Sequence, residues 1–293
     1  MIGSRREYRY QSAVLLLPYL IGAVFLVVLP LILSLALSFF SYDGLSAPVW
    51  AGWANFREVL GDPLFKVALT NSLTFMYLAV PLRLLAALGL ALLLSRPRPG
   101  TGLYRALVYL PTVVPEIAYA LLWLWIFNPL YGPLNQILRL LGLPAPAWLV
   151  NSQTALPALV MMSLFTIGEG FVILLAALKS ISTEVYDAAW VDGSGRWQAF
   201  THITLPLLKP WLVLLVFRDV ILTFQTTFTP AYIMTGGGPY YATLFLPMLV
   251  FEEAFDRLRF GVGSVMMLMM ILFTLGLLVL LYAIFQEWGY EET

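Results

Sequence analysis

The sequence has no cysteine, a single histidine and very little charge. Among its 293 residues, 16 are Lys or Arg and 16 are Asp or Glu, so the formal net charge is zero. The missing cysteine excludes disulfides, thiolate catalysis and Cys-ligated metals, and the lone His202 predicts no metal site. The balanced charge leaves no basic excess for a nucleic-acid interface. Charged residues form 11% of the chain, against about 25% in soluble proteins, which argues against a soluble enzyme. Because apolar residues abound, the composition also argues against a disordered chain.

Between the charged residues, the sequence contains long uncharged segments that are rich in apolar residues. Apolar residues make up 61% of the chain, and the mean hydropathy is +0.87. A helix that crosses a bilayer needs about 20 mostly apolar residues, and six segments meet this requirement. Because period-2 alternation is absent, they predict helices rather than strands. We therefore expect an all-α membrane protein, a single transmembrane domain over residues 1–293. Its six predicted spans cover approximately residues 13–40, 67–95, 105–127, 154–178, 208–233 and 262–286.

Lys and Arg in the connections predict the orientation of the chain. The first apolar run is longer than the core of a signal peptide, so we expect an uncleaved first span. With the N-terminus inside, nine basic residues fall on the inner side, five on the outer side and two within spans. This bias predicts that both termini are cytoplasmic. The inner set is Arg5, Arg6, Arg9, Arg96, Arg98, Arg105, Lys179, Arg196 and Lys209; the outer set is Arg57, Lys66, Arg139, Arg257 and Arg259.

The longest inner connection, residues 179–210, predicts two short helices separated by a turn. Ser182 or Thr183 can cap the first helix, and Gly193 can end it in a left-handed conformation. Ser194 can cap a second helix, which Pro206 is expected to stop. A first helix of about ten residues is only marginally stable alone in water. It therefore needs either the surface of a partner protein or, as an amphipathic segment, the lipid headgroups, and the residues leave both alternatives open.

The same connection resembles the EAA loop of ABC-importer permease subunits. The matching pattern is Asp187-Ala188-Ala189, three residues, Gly193, nine residues and then Ile203-x-Leu205-Pro206, with Asp187 where the motif usually has Glu. Two outer segments are similar to those of maltose-type carbohydrate uptake permeases. They read Asn128-Pro129-x-Tyr131-Gly132-x-Leu134-Asn135 and Met234-Thr235-Gly236-Gly237-Gly238-Pro239. Together with the six predicted spans, the similarity covers nearly the whole chain.

This resemblance implies a type I ABC importer permease in the cytoplasmic membrane, with a cytoplasmic coupling loop. Such a subunit is not an enzyme: it translocates substrate, here a sugar or oligosaccharide, by alternating access. The implied partners are a second permease subunit in a heterodimer, two ATPase subunits and an extracytoplasmic solute-binding protein. Carried over by position, the contacts to the ATPase are Glu184, Asp187, Ala188, Ala189, Asp192 and Gly193.

The source of energy must lie on another chain. A phosphate-binding P-loop needs Gly-x-x-x-x-Gly-Lys followed by Ser or Thr. Only Lys179 precedes a serine, and Leu178 occupies the position that requires glycine. We therefore expect no cofactor on this chain, with ATP and magnesium bound by the partner ATPase subunits.

Five ionisable residues interrupt the apolar runs, and such residues are costly in a membrane. They are Arg83, Glu116, Glu169, Arg218 and Asp219. Arg218, Gln225, Thr229 and Tyr232 are spaced by seven, four and three residues, which places them on one helical face, flanked by Phe228. Hydroxyls and rings on such a face suit a sugar. The predicted substrate pathway therefore consists of Glu169, Arg218, Gln225, Phe228, Thr229 and Tyr232.

Three alternatives remain open on the sequence alone. The buried charges can instead be ion pairs that hold neighbouring helices together. They can also form a charge relay in a standalone ion-coupled carrier or channel, which would work without an ATPase. Finally, Arg83 and Arg218 favour an anionic ligand, whereas the nearby carboxylates can equally neutralise both arginines.

Overall fold

In the computed structural model, the backbone is described from Arg5 to Gly289 and the side chains from Val14 to Gln286. The first predicted span is one continuous helical segment. It consists of α1 (Arg5–Ala23), a π-helical turn (Val24–Val28) and α2 (Leu29–Leu37). Pro30, in the first turn of α2, has no backbone N–H to donate. The π-helical turn before it shifts the hydrogen-bond pattern locally, and the helical segment continues through this proline. Its apolar side chains are largely exposed, as expected for a surface that faces lipid.

A short hairpin and a short helix follow. Strand β1 (Phe40–Ser41) pairs antiparallel with β2 (Val49–Trp50), so that Phe40 lies opposite Trp50. Helix α3 (Ala54–Gly61) comes next. None of these elements was predicted, because segments of two to eight residues are too short to show a periodic pattern of apolar residues.

The second predicted span is a single helix, whereas the third is broken. Helix α4 (Pro63–Leu94) has 32 residues. Helices α5 (Thr101–Val113) and α6 (Glu116–Ile126) meet at a bend of 103°. Proline lacks a backbone N–H and disfavours helical geometry in the residue before it. The prediction of one uninterrupted helix over residues 105–127 is therefore wrong, because the helix breaks before Pro115.

A similar break divides the fourth predicted span. After α7 (Pro133–Leu140), the chain forms α8 (Ser152–Ser163) and α9 (Gly168–Ser180), which are bent by 44°. Between them, three successive backbone N–H groups bond to the carbonyl three residues earlier, tightening the chain from Leu164 to Thr166. The helix then restarts at Gly168. The expected helix over 154–178 is thus two helices.

The connection between the fourth and fifth spans begins with α10 (Thr183–Val191) and α11 (Arg196–Ala199). A π-helical turn (Phe200–Thr204) then leads without interruption into α12 (Leu205–Thr226). Pro206 was expected to stop a helix here, and this expectation is wrong. Proline is tolerated in the first turn of an α-helix because its missing N–H has no partner there.

The last part of the chain alternates α-helices with π-helical turns. Helix α13 (Phe228–Pro230) runs into a π-helical turn (Ala231–Thr235), and α14 (Leu246–Phe251) runs into another (Glu252–Asp256). Helix α15 (Phe260–Gly289) covers the sixth predicted span.

By length and apolar composition, three helices of the described chain can cross a membrane, or five if each bent pair counts as one span. The three are Val14–Leu37, Pro63–Leu94 and Phe260–Gln286. Helix α12, the fifth predicted span, has 22 residues but carries Lys209, Arg218 and Asp219. The count of six spans stays a prediction.

The chain forms two compact units, so one domain over 1–293 also stays a prediction. Among the described residues, the first unit comprises those up to Asp62 together with Val250–Met270, and the second comprises Pro63–Leu249 and those from Ile271 to Gly289. In the second unit, α4, α9 and α12 share a core. Its buried members include Ala87, Phe171, Leu174 and Leu215.

In the first unit, a buried carboxylate is held by two arginines. Glu253 is only 1% exposed, and it pairs with Arg257 and with Nη1 of Arg259 at 3.2 Å. Arg259 also donates to Glu58, and this hydrogen bond raises the pKa of the Arg259 guanidinium above its usual value. The network joins the segment before α15 to α3.

Gly261 in the same unit has no room for a side chain. A Cβ there would collide with the carbonyl oxygen of Phe40 and lie 2.8 Å from Nδ2 of Asn55. That amide is buried and donates to the carbonyls of Ser38 and Phe40, both at 2.9 Å. The first turn of α15 therefore packs directly against backbone.

We expect Gly261→Ala to lower the free energy of unfolding by about 2–3 kcal/mol, because backbone cannot give way as a flexible side chain can. Gly276→Ala in the same helix is the matched control, since no atom lies within 4 Å of a Cβ there. Thermal unfolding of both purified variants measures the difference. Equal melting temperatures would contradict the packing described.

Candidate functional site

The second unit contains a cavity of about 240 Å³ at the two helix breaks, lined by both apolar and polar residues. The bend between α5 and α6 places Thr112, Val114 and Glu116 on its wall, and the bend between α8 and α9 adds Thr166 and Glu169. A continuous helix pairs its backbone N–H and C=O groups with one another, whereas a broken helix leaves some of these groups free at the break. The two breaks therefore create the polar site.

Both breaks put an acidic residue at the start of the helix that follows. Glu116 is the first residue of α6, and Glu169 is the second residue of α9. A carboxylate in a first helical turn is stabilised by the helix dipole. Oε2 of Glu116 also accepts a hydrogen bond of 2.9 Å from Thr229.

Four charged side chains form one network beside the cavity. Arg218 pairs with Glu169 and, through Nη1, with Oδ1 of Asp219 at 3.0 Å. Asp219 Oδ2 lies 3.5 Å from Nε of Arg83. The side chains of Arg83 and Asp219 are 9% and 11% exposed, so this ion pair is almost completely shielded from solvent. The network links α4, α9 and α12, as the ion-pair alternative anticipated, yet three of its members also line the cavity.

The predicted pathway residues divide into two groups. Glu169 and Arg218 line the cavity, whereas Gln225, Phe228, Thr229 and Tyr232 are absent from the wall that the described residues form. Gln225 is exposed, and Phe228 stacks on Tyr232 with ring centres 5.5 Å apart. Their spacing assumed one continuous helix, but α12 ends at Thr226 and a π-helical turn follows α13. Their role in a pathway stays a prediction.

The hydroxyl groups of the cavity wall were not among the residues predicted from the sequence. These belong to Thr112, Tyr119, Ser163, Thr166, Thr226 and Thr227. Thr112 Oγ1 is buried without a hydrogen-bond partner, and it lies against Gly168, where a Cβ would collide with it. A usable signal existed, since prolines and glycines that interrupt apolar segments indicate binding sites in transporters.

The residues predicted to contact an ATPase lie on α10 and in the turn after it. The Oγ atom of Ser182 accepts a hydrogen bond of 3.2 Å from the backbone of Glu184, which confirms the predicted cap. Gly193 has φ +79°, which confirms the predicted left-handed turn. By position, α10 carries Glu184, Asp187, Ala188 and Ala189, and Asp192 and Gly193 follow it.

Helix α10 buries none of its residues in this chain. Trp190 is 52% exposed and Val191 is 88% exposed. One tether is a hydrogen bond of 2.9 Å between the hydroxyls of Tyr186 and Thr204. A nine-residue helix with no buried face lacks the packing that stabilises most helices in proteins.

The second helix of the connection begins one residue later than expected. Gly195, not Ser194, precedes α11, and its backbone N–H donates to Oε1 of Gln198 at 2.8 Å. Gln198 thus reaches back from the third helical position to the N–H of the residue before the helix, whereas a serine at the cap would accept from an N–H inside the first turn.

Comparison with known proteins identifies similar chains over most of this length. Residues 79–288 match the family model described as "Binding-protein-dependent transport system inner membrane component". The probable ABC transporter permease protein YesP of Bacillus subtilis is 36% identical over 281 residues, covering 94% of this chain and 90% of the relative. The trehalose/maltose transport system permease protein MalF of Thermococcus litoralis is 33% identical over 216 residues, covering 73% and 72%.

A solved structure has the same fold. The crystal structure of a bacterial ABC transporter involved in the import of the acidic polysaccharide alginate superposes on this chain with a TM-score of 0.84. The match covers 97% of this chain and 98% of that one, at 20% sequence identity. The similarity shows the architecture of a type I ABC importer permease.

Proposed function

Because the chain belongs to the family of inner membrane components of binding-protein-dependent transport systems, we propose that it moves a sugar or oligosaccharide through an ATP-driven importer. It is a transport component of that system rather than an enzyme. The observation that carries the proposal is the family match over residues 79–288, which include α10 and every residue of the cavity wall except Phe75. The trehalose/maltose permease among its relatives supports a carbohydrate ligand.

The proposed complex holds this subunit, a second permease, two ATPase subunits and an extracytoplasmic solute-binding protein. The absence of a P-loop from the sequence supports an ATPase on other chains, which bind ATP and magnesium. The exposed α10, with its apolar Trp190 and Val191, supports a docking partner for this helix. The balance of basic residues supports cytoplasmic termini and a cytoplasmic α10.

In this proposal, α10 transmits movement of the ATPase to the cavity. Helix α10 follows α9 after a two-residue connection, and α11 leads from it into α12. Glu169 lies at the far end of α9, and Arg218 lies in α12. Displacement of α10 therefore shifts both helices that carry this ion pair. Rigid-body motion of packed helices is a common route to alternating access, and the cavity between these helices is the proposed pathway.

The whole complex in proteoliposomes tests the proposal. We expect uptake of the ligand that the cognate binding protein delivers, dependent on ATP, on the ATPase subunits and on the binding protein. Leaving out one component at a time provides the controls. Gradient-driven uptake by this chain alone would contradict the proposal and favour the standalone carrier instead.

A further inference from the structure

We infer that the cavity accepts an uncharged sugar and disfavours sugar acids and sugar phosphates, since a carboxylate of the chain already lies beside each group around it that attracts anions. The inference rests on the proposed function, because it refines the class of carbohydrate. The sequence left open whether the ligand is anionic or uncharged, and this inference favours an uncharged ligand. Two kinds of group attract anions here: guanidinium groups and helix N-termini.

Each guanidinium group already faces a carboxylate of the chain. Arg83 is 7% exposed and forms an ion pair with Asp219, with 3.5 Å between Nε and Oδ2, although this Nε makes no hydrogen bond. Arg218 is shared between Glu169 and Asp219. An acidic sugar would have to displace one of these carboxylates, leaving it without a counter-ion in a poorly solvated site, which is strongly unfavourable.

The two helix N-termini at the cavity each have a carboxylate in their first turn. A helix N-terminus normally favours a bound anion, and α6 and α9 both begin at the cavity wall. Glu116 and Glu169 lie in the first turns of these helices, so each dipole already has a carboxylate of its own. Two guanidinium groups and three carboxylates leave a formal charge of −1 around the site, which repels an anionic ligand.

The remaining polar atoms suit a ligand that donates hydrogen bonds. The hydroxyls of Ser163, Thr166, Thr226 and Thr227 donate to backbone carbonyls of their own segments. Their oxygen atoms are then presented as acceptors. Sugar hydroxyls can donate to these oxygens and to the carboxylates, whereas ionised carboxylate and phosphate groups offer only acceptors.

Buried groups on the cavity wall complete the match to a sugar. Thr112 Oγ1 is buried and unpartnered, so it can both donate to and accept from a ligand hydroxyl. The rings of Phe75 and Phe245 pack edge to face, with centres 5.4 Å apart, and both lie on the wall. They form an apolar backing to the polar wall and expose little ring surface, since Phe75 is 4% and Phe245 is 0% exposed.

The first test identifies the ligand that the cognate solute-binding protein carries and that the complete importer takes up. The ligand is released by denaturing the purified binding protein and is analysed by mass spectrometry. We expect a sugar without carboxylate, phosphate or sulfonate. An acidic sugar would overturn the charge inference alone, whereas a ligand that is not a carbohydrate would overturn the proposed function.

The second test ties the charge preference to the cavity, with glucose and glucose 6-phosphate as competitors of uptake. In the wild-type complex, we expect glucose 6-phosphate to inhibit no better than glucose. In Glu169→Gln, its inhibitory concentration should fall about tenfold or more, since one unit charge within about 12 Å changes binding at least that much at an effective dielectric constant of about 20. Inhibition by glucose should change less than inhibition by glucose 6-phosphate, because glucose carries no charge.

Two further variants complete this test. Asp43→Asn removes a carboxylate that lies in the loop of the hairpin, outside the cavity wall, and it should leave both inhibitory concentrations unchanged. If Glu169→Gln does not assemble, Glu116→Gln removes a different carboxylate of the same wall. Unchanged selectivity in an assembled cavity variant, or strong inhibition of the wild type by glucose 6-phosphate, would overturn the inference.

Discussion

Gly193→Val is expected to reduce ligand-stimulated ATP hydrolysis by the reconstituted importer about tenfold or more, while the complex still assembles. Gly193 ends α10 at φ +79°, a conformation that costs a residue with a Cβ about 1–2 kcal/mol, and a β-branched residue more. Valine therefore forces the turn toward another geometry and moves α10 with it. Because α10 is the proposed contact to the ATPase, coupling is lost although the cavity is untouched.

Gly142→Val is the matched control for this variant. Gly142 also has a left-handed φ, +69°, and at both glycines no atom lies within 4 Å of the position that a Cβ would take. The substitution introduces the same backbone strain in the connection after α7, far along the chain from α10. Ligand-stimulated hydrolysis measured with both variants separates coupling from strain. Normal stimulation in Gly193→Val, or an equal loss in Gly142→Val, would refute the role of α10.

Asp219→Leu is expected to lower the free energy of unfolding by about 3–5 kcal/mol, the usual cost of leaving one member of a buried ion pair alone. Arg83 loses the carboxylate that it faces and stays buried between α4 and α12. Arg218 keeps Glu169 as a partner, so the penalty falls mainly on Arg83. Thermal unfolding of the purified subunit, or of the complex in detergent, measures the loss.

The double variant Arg83→Met with Asp219→Leu should recover most of that stability. Replacing both members of a buried pair by apolar groups is often close to neutral, whereas removing one is not. Recovery would show that the loss comes from an uncompensated charge rather than from altered packing. A double variant as unstable as Asp219→Leu would contradict the role of the pair, as would a single variant with no loss.

Local features of the sequence were predictable because few residues decide them. Ser182 caps α10 through a hydrogen bond to a backbone group two residues away. Gly193 adopts a conformation that glycine accepts without steric cost. The start of α11 was misplaced by one residue because the side chain of Gln198, rather than that of Ser194, satisfies the free N–H group.

The cavity was harder to predict because it depends on where helices break. The face with Gln225 and Thr229 was inferred from an unbroken period of 3.6 residues. Helix α12 ends at Thr226, and of the four residues on that face only Arg218 lies on the cavity wall. Pro115 and Gly168 were visible in the sequence, but the bends of 103° and 44° that they accompany are set by the packing of neighbouring helices.

By itself, the sequence determined that this chain lies in a membrane, that it belongs to the importer permease family, and that α10 ends at Gly193. Composition, motif spacing and local backbone preference decide these features, and none of them requires knowledge of distant contacts. Only the tertiary structure decided that Arg83 pairs with Asp219 and that Arg218 pairs with both Asp219 and Glu169. These residues come from three helices far apart in the chain, and their pairing depends on how those helices pack, which no local pattern encodes.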